Sequence, residues 1–210
     1  MIGIIDYGMG NLASVQNALT HLGCEAKVLS TPADIGRYER LILPGVGSFA
    51  KAMRNLHAHS WPEALRASAV DGRPLLGICL GMQLLFDYGE EHGHTQGLGL
   101  IPGHVSLMSP APPHRLPHVG WNNLLFTRQH AFFRGVKEHV DVYFVHSYHC
   151  VPVDEKVVLA RCSHGGDWVA SVERGCVAGM QFHPEKSQPA GLRILKNFTQ
   201  WRLDDTPLSV

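Results

Sequence analysis

Hydrophobic positions in the first half of the chain alternate between short continuous runs and a helical period. Residues 2–6, apolar up to Ile5, predict a buried strand, after which Leu12, Val15, Leu19 and Leu22 recur at helical spacing. Residues 26–29 and 40–43 predict further strands, Phe49, Met53 and Leu56 give a helical stripe, and residues 74–78 predict another short buried strand. Strands that alternate with helices imply a parallel sheet with right-handed crossovers. The predicted fold is therefore α/β, an open, doubly wound, mostly parallel central sheet with functional groups at the carboxyl ends of its strands.

The second half has a different rhythm. Residues 140–145, 156–162, 168–172 and 176–182 predict strands, the last two joined through Arg174-Gly175, so additional antiparallel pairing is expected. A closing helix opened by Pro189 carries Leu192, Leu195, Phe198 and Trp201 on one face, which is a core stripe. Between the halves, residues 90–99 and 109–118 are rich in Gly, Pro and His and predict surface loops. No repeat or long linker divides the 210 residues, so one domain over 1–210 is expected.

Charge narrows the function classes. Eighteen Lys and Arg balance eighteen Asp and Glu, which leaves no basic excess to hold a nucleic acid, and none is expected as a partner. No run approaches the roughly 18 apolar residues of a membrane span, and Asp6 interrupts the first run too early for a signal peptide. A cytoplasmic protein without membrane association is expected. Cys24, Cys79, Cys150, Cys162 and Cys176 are odd in number, widely spaced and without a C-x-x-C pair, which argues against a disulfide framework or structural zinc. His57/His59 and His92/His94 form H-x-H pairs, but no carboxylate or thiol accompanies them at ligand spacing. They are expected on the surface, with no metal and no cofactor.

The most informative segment is Pro74-Leu75-Leu76-Gly77-Ile78-Cys79-Leu80-Gly81-Met82-Gln83-Leu84-Leu85-Phe86, an apolar strand running through G-x-C-x-G into an apolar helix. It reads as a nucleophile elbow: a side chain presented on a sharp strand-to-helix turn needs small flanking residues, because a Cβ at either glycine would strike the adjoining element. The turn also sets the thiol at a helix N-terminus, where unsatisfied N–H groups favour thiolate. A lone cysteine between packing glycines is more often plain core, so the assignment needs a base. Gly179-Met180-Gln181-Phe182-His183-Pro184-Glu185-Lys186 supplies one: proline forces His183 into an extended conformation, and residues two apart then point to the same side. His183 can bond Glu185 through one ring nitrogen and face a thiol with the other. A third segment, Leu41-Ile42-Leu43-Pro44-Gly45-Val46-Gly47-Ser48-Phe49, is a strand entering a glycine-rich turn. Backbone N–H groups of Gly45, Val46 and Gly47, with that of Leu80, suit an oxyanion hole. A plain strand-to-helix turn is the other reading, and no G-x-x-x-x-G-K-[ST] supports a phosphate loop.

Taken together, the elbow, the Pro44-to-Ser48 loop and His183-Pro184-Glu185 resemble the class I (triad) glutamine amidotransferases across nearly the whole chain. Within them, Ile5-Asp6-Tyr7-Gly8-Met9-Gly10-Asn11-Leu12, His118-Val119-Gly120-Trp121-Asn122, Phe144-Val145-His146-Ser147-Tyr148 and Gln181-Phe182-His183-Pro184-Glu185-Lys186-Ser187 are similar to the glutaminase subunits of imidazole glycerol phosphate synthase. Pro-Gly-Val-Gly, in place of two adjacent glycines, separates that subfamily.

The resemblance implies a flavodoxin-like fold and a Cys79-His183-Glu185 triad that hydrolyses L-glutamine through a glutamyl thioester. It implies glutamine contacts at Gly47, Gln83, Ser147, Tyr148 and His149, although His149 departs from the aromatic residue expected after His-Ser-Tyr. Ammonia freed into water becomes mostly ammonium, which has no lone pair for attack, so a useful glutaminase needs a neighbour to receive it. By resemblance the neighbour is a (β/α)8 cyclase subunit that converts PRFAR into imidazole glycerol phosphate and AICAR in histidine biosynthesis. The heterodimer's docking face would include Asn11, Trp121, Asn122, Tyr143 and Lys186, with Trp121 equally suited to a core position. Three alternatives remain at this level: a γ-glutamyl hydrolase or cysteine peptidase with the same triad, a histidine-rich binding domain with an inert Cys79, and a degenerate regulatory subunit.

Overall fold

The computed structural model describes residues 1–203. Among them the strands are β1 (Ile2–Ile5), β2 (Ala26–Leu29), β3 (Arg40–Gly45), β4 (Leu75–Cys79), β5 (Phe86–Gly89), β6 (Thr95–Gln96), β7 (Ile101–Leu107), β8 (His118–Asn123), β9 (Leu125–Phe126), β10 (Asp141–His146), β11 (Tyr148–Pro152), β12 (Val158–Ser163), β13 (Asp167–Arg174) and β14 (Val177–Met180). The α-helices are α1 (Leu12–His21), α2 (Phe49–Ala58), α3 (Trp61–Val70), α4 (Leu80–Leu84) and α5 (Gln188–Gln200).

Eight strands build the central sheet in the order β2-β1-β3-β4-β14-β13-β12-β9. From β2 to β14 every pairing is parallel, and from β14 outward every pairing is antiparallel, as the change of rhythm between the two halves predicts. A second sheet, β11-β7-β5-β6, and a two-stranded ribbon, β10-β8, complete the architecture.

The middle of the sheet is covered on both faces, and there β1, β4 and β14, with β3 after Arg40, are apolar at successive positions rather than at alternate ones. Leu41, Leu43 and Leu75 pack with Phe49, Met53 and Leu56 of α2 and Trp61 and Leu65 of α3. Their sequence neighbours Ile42, Leu76 and Ile78 point the opposite way, against Val15 and Leu19 of α1 and Ile194, Leu195 and Phe198 of α5. The start of α1 is fixed by Asn11, whose Oδ1 accepts the Ser14 N–H at 3.3 Å. Pro189 stands in the first turn of α5, and Trp201 closes that helix with its side chain buried.

Several expectations need correction. The helix after Cys79 is only the five residues of α4, because the chain turns into β5 at Phe86, so its dipole is small. The sequence pattern does not predict α3, β5, β6, β7, β8, β9 or β11, and β6 lies within the loop expected over 90–99. β7 hides behind Pro102 and Gly103, and β8 has a single buried position, His118, so neither shows an apolar run. His118 therefore begins a strand rather than ending the loop expected over 109–118. His57, His59, His92 and His94 are exposed. No helix among the described residues is long and apolar enough to cross a membrane.

Candidate active site

Three parallel neighbours bring the site together. In register, Gly45 of β3 lies beside Cys79 of β4, and Met180 of β14 lies beside Ile78. The loop after β3, the elbow after β4 and the His-Pro-Glu segment after β14 therefore emerge side by side at the carboxyl edge of the sheet, although they are far apart in sequence.

Cys79 has φ 55° and ψ −114°, a left-handed conformation that costs a non-glycine residue about 1–3 kcal/mol. Its neighbours explain how the turn is held. A Cβ on Gly77 would stand 2.7 Å from the Cα of Met82, and one on Gly81 would overlap the carbonyl oxygen of Leu43. Strand and helix touch backbone to backbone, which tips the Cys79 side chain towards a cavity of about 360 Å³. Cys79, Leu80, Gln83, Val46, Gly47, Ser147, Tyr148 and His183 all border that cavity.

His183 is buried, and its Nδ1 lies 2.7 Å from a Glu185 carboxylate oxygen. His183 is extended, as Pro184 requires, but Glu185 sits on a short 3-10 turn (Pro184–Lys186) rather than on a continued strand. The remaining ring nitrogen, Nε2, is buried and makes no hydrogen bond of ordinary geometry within the protein. Burial alone would lower the imidazole's pKa. Interaction with Cys79, and then with Glu185, outweighs it and lifts the group to about 9. Both interactions favour the protonated ring.

The glycine loop borders the same cavity through Val46 and Gly47. Val46 is 43% exposed, and Gly47 has φ +99°, a conformation that side chains rarely adopt. Gly45, still within β3, is pressed from behind by the Tyr7 hydroxyl and by Leu80.

Gln83 is held by both of its amide hydrogens, donating to the Tyr148 carbonyl at 3.1 Å and to Gln181 Oε1 at 3.0 Å. Gln181 is fully buried and approaches Cys79 Sγ with its own amide nitrogen at 3.8 Å. Glu91 also borders the cavity, and its Oε2 accepts the N–H of Phe49, 2.7 Å away, at the start of α2. Sequence reasoning missed Gln181 and Glu91. Gln181 lies in a motif already singled out, but Glu91 lies in a polar loop with no pattern to distinguish it. His149 is the one expected pocket residue whose side chain points elsewhere: it bonds Ser106 Oγ at 3.3 Å and packs edge-on against Trp168, outside the cavity.

The ribbon β10-β8 presents an apolar face next to the cavity. Tyr143 pairs with Trp121 and Val145 with Val119, so the four side chains share one side. Val119 is 55% exposed, Trp121 47% and Val145 39%, so Trp121 is not core. Lys186 sets Nζ 5.8 Å from the Tyr143 ring centre. The tentative docking residues are not equivalent: Asn11 caps α1, and the amide of Asn122 is engaged inward with His118 and the Ser163 carbonyl.

Comparison with known proteins agrees with this geometry. A family model described as "Glutamine amidotransferase class-I" matches residues 3–201. The chain is 51% identical over 202 residues to "Imidazole glycerol phosphate synthase subunit HisH" of Geobacillus kaustophilus, covering 94% of this chain and 95% of that protein. It is 47% identical over 209 residues to the protein of the same description from Desulfitobacterium hafniense, covering 100% and 98%. Among solved structures, "Structure of PurLQS from Thermotoga maritima" superimposes with a TM-score of 0.75 at 20% identity, covering 95% of this chain and 97% of that one, a likeness of fold. A further glutamine amidotransferase crystal structure gives 0.74 at 22% identity over 95% and 97%. With an elbow cysteine, a buried His-Glu pair and a glycine loop on one cavity, and with these relatives along its whole length, the chain belongs to the class-I glutamine amidotransferases, in the family of the imidazole glycerol phosphate synthase subunit HisH.

Proposed function

We propose that this chain, as one domain, is the glutaminase subunit of imidazole glycerol phosphate synthase. It hydrolyses L-glutamine to L-glutamate and ammonia and passes the ammonia to a (β/α)8 cyclase subunit that converts PRFAR to imidazole glycerol phosphate and AICAR in histidine biosynthesis. The observation that carries this reading is the opening of the strained Cys79 elbow and the 2.7 Å His183–Glu185 pair onto one amino-acid-sized cavity.

In this mechanism Cys79 Sγ bonds to the side-chain amide carbon of glutamine while the thiol proton resides on His183 Nε2. Negative charge develops on the former carbonyl oxygen, where the N–H groups of Leu80 and of the Val46–Gly47 segment stabilise it. His183 then gives its proton to the departing nitrogen, the carbon–nitrogen bond breaks, and ammonia leaves a glutamyl thioester. A value near 9 keeps the ring charged for that transfer. Water, deprotonated by the now neutral His183, attacks the thioester and releases glutamate and the thiol. Glu185 holds the ring's orientation throughout.

Glu91 supplies a carboxylate for the substrate's α-ammonium group. Gln83 has committed both N–H donors to the protein, so its Oε1 is the atom that faces substrate as an acceptor. The apolar face of Val119, Trp121, Tyr143 and Val145 adjoins the cavity through Val145 and fits the partner's docking site, with Lys186 at its rim. Five free cysteines suit a cytoplasmic reaction.

The test is glutamate release from glutamine by the chain alone, by the chain with its cyclase and cyclase ligand, and by a Cys79→Ala complex. The reading expects appreciable release only in the wild-type complex. Equal release by Cys79→Ala would overturn it.

A further inference from the structure

Two buried histidines outside the triad lie between the apolar ribbon and the glutamine pocket. His118 of β8 and His146 of β10 are both buried, and His118 Nδ1 lies 3.0 Å from His146 Nε2. His146 Nδ1 is in turn 2.8 Å from the Tyr148 carbonyl oxygen, and His118 Nε2 is 3.1 Å from the Asn122 amide nitrogen.

The direction of these bonds is fixed at both ends. At the pocket end a carbonyl oxygen only accepts, so His146 Nδ1 carries a hydrogen. At the ribbon end Asn122 Nδ2 also donates to the Ser163 carbonyl at 2.8 Å, and Asn122 Oδ1 accepts the N–H of Asn123 at 2.8 Å, which settles the amide's orientation. His118 Nε2 must then accept, its Nδ1 must donate, and His146 Nε2 must accept. Every link is satisfied only when both rings are neutral and both carry hydrogen on Nδ1.

The position of the chain is fixed as well. The His118 ring is clamped between Phe144 at 4.7 Å and His164 at 4.2 Å, both nearly parallel to it. The Tyr148 carbonyl where the chain ends also receives the Gln83 amide at 3.1 Å, so one oxygen ties the imidazoles to a pocket side chain.

We propose that His118 and His146 are positioning residues of the glutamine site: a one-way hydrogen-bond chain from Asn122 through both imidazoles to the Tyr148 carbonyl sets that carbonyl, and through it Gln83, from the strand that carries Trp121. The proposal rests on the glutaminase reading for its substrate, but the bonding sense stands independently. The electrostatics agree: burial, and then the neighbouring histidines, lower the pKa of His118, and burial lowers that of His146 despite its bond to Tyr148. Two imidazoles are costly to bury, His146 borders the cavity itself, and their bonds end on the one carbonyl that also holds Gln83.

Nitrogen-15 NMR of histidine-labelled full-length chain reads the tautomers directly. Both rings should be neutral with hydrogen on Nδ1 across neutral pH, and Asn122→Ala, a change at a half-buried side chain, should release His118 to exchange tautomers. An imidazolium at either ring, or a hydrogen on either Nε2, overturns the proposal. For function, His118→Leu removes the donor to His146, whereas His118→Asn keeps an N–H at the place of Nδ1. In the complex with the cyclase, His118→Leu should raise the KM for glutamine about tenfold, the worth of one hydrogen bond, with kcat little changed. His118→Asn should restore most of it. Equal defects in the two variants, or an unchanged KM in His118→Leu, would reduce the pair to core filling. If the wild-type complex released no glutamate, the glutaminase reading would fail while the tautomer result stood.

Discussion

His183 Nδ1 and Glu185 Oε1 lie 2.7 Å apart, with both side chains almost fully buried, although only one residue separates them in the chain. Pro184 makes this possible: it keeps His183 extended and opens the 3-10 turn that brings the carboxylate back under the ring. The carboxylate there adds to the effect of Cys79 in favouring the protonated form of the buried ring.

Glu185→Gln removes that support. The folded-state pKa of His183, about 9, lies above the ordinary 6.5, so the stability it contributes is fully present below pH 6.5 and is lost as pH rises through about 9. The variant removes only the Glu185 share of that shift, the smaller one beside that of Cys79, so it should be less stable than wild type by about 1 kcal/mol on the acid side of this window, and the two should converge above it. Glutaminase kcat should fall by about 100-fold or more. Urea melts across the window, with assays of the complex, check both parts.

Gly81→Ala should cost roughly 3 kcal/mol or more and abolish activity, because the new methyl would occupy the place of the Leu43 carbonyl oxygen. Gly36→Ala is the control: no atom lies within 4 Å of its Cβ position, and its stability should change by less than about 0.5 kcal/mol. Thermal denaturation of both separates a backbone-contact glycine from a spacer.

Glu91→Gln keeps an acceptor for the Phe49 N–H but removes the negative charge facing the cavity. The KM for glutamine should rise about tenfold or more, the worth of a charge-assisted hydrogen bond, while melting temperature moves little. A KM within twofold of wild type would deny Glu91 the ammonium.

Trp121→Ala should weaken association with the cyclase by about 2 kcal/mol, roughly thirtyfold in Kd, because an exposed indole seated edge-on against Tyr143 is the largest anchor on the ribbon face. Titration calorimetry of variant and wild type measures it. Folding of the isolated chain should be unaffected.

The parallel half of the fold was legible because β1 and β4 carry no polar side chain and β3 none after Arg40, the pattern of strands covered on both sides. The candidate site was legible for a related reason: the elbow glycines and Pro184 are local solutions to local steric problems, and such solutions leave marks in sequence. The ribbon and second sheet were not. β8 is written largely in polar and aromatic residues whose order depends on pairing with β10, a partner eighteen or more positions away. Glu91 and Gln181 were hidden for the same reason, since their roles come from what the fold sets beside them. His149 shows the converse: its position in a motif suggested a pocket contact, but Trp168 on another strand draws its side chain away.

The order of strands in the sheet has a consequence for the growing polypeptide. β14 is the last strand among the described residues, yet it is inserted between β4 and β13 near the middle of the sheet. Until Val177–Met180 leaves the ribosome, β4 exposes an unpaired, wholly apolar edge, and the base of the reaction has not yet been made. A chain cut short before this point is thus both sticky and inert, and both conditions end within one stretch of nine residues, Val177 to Glu185, which carries the missing strand and then the His-Pro-Glu segment.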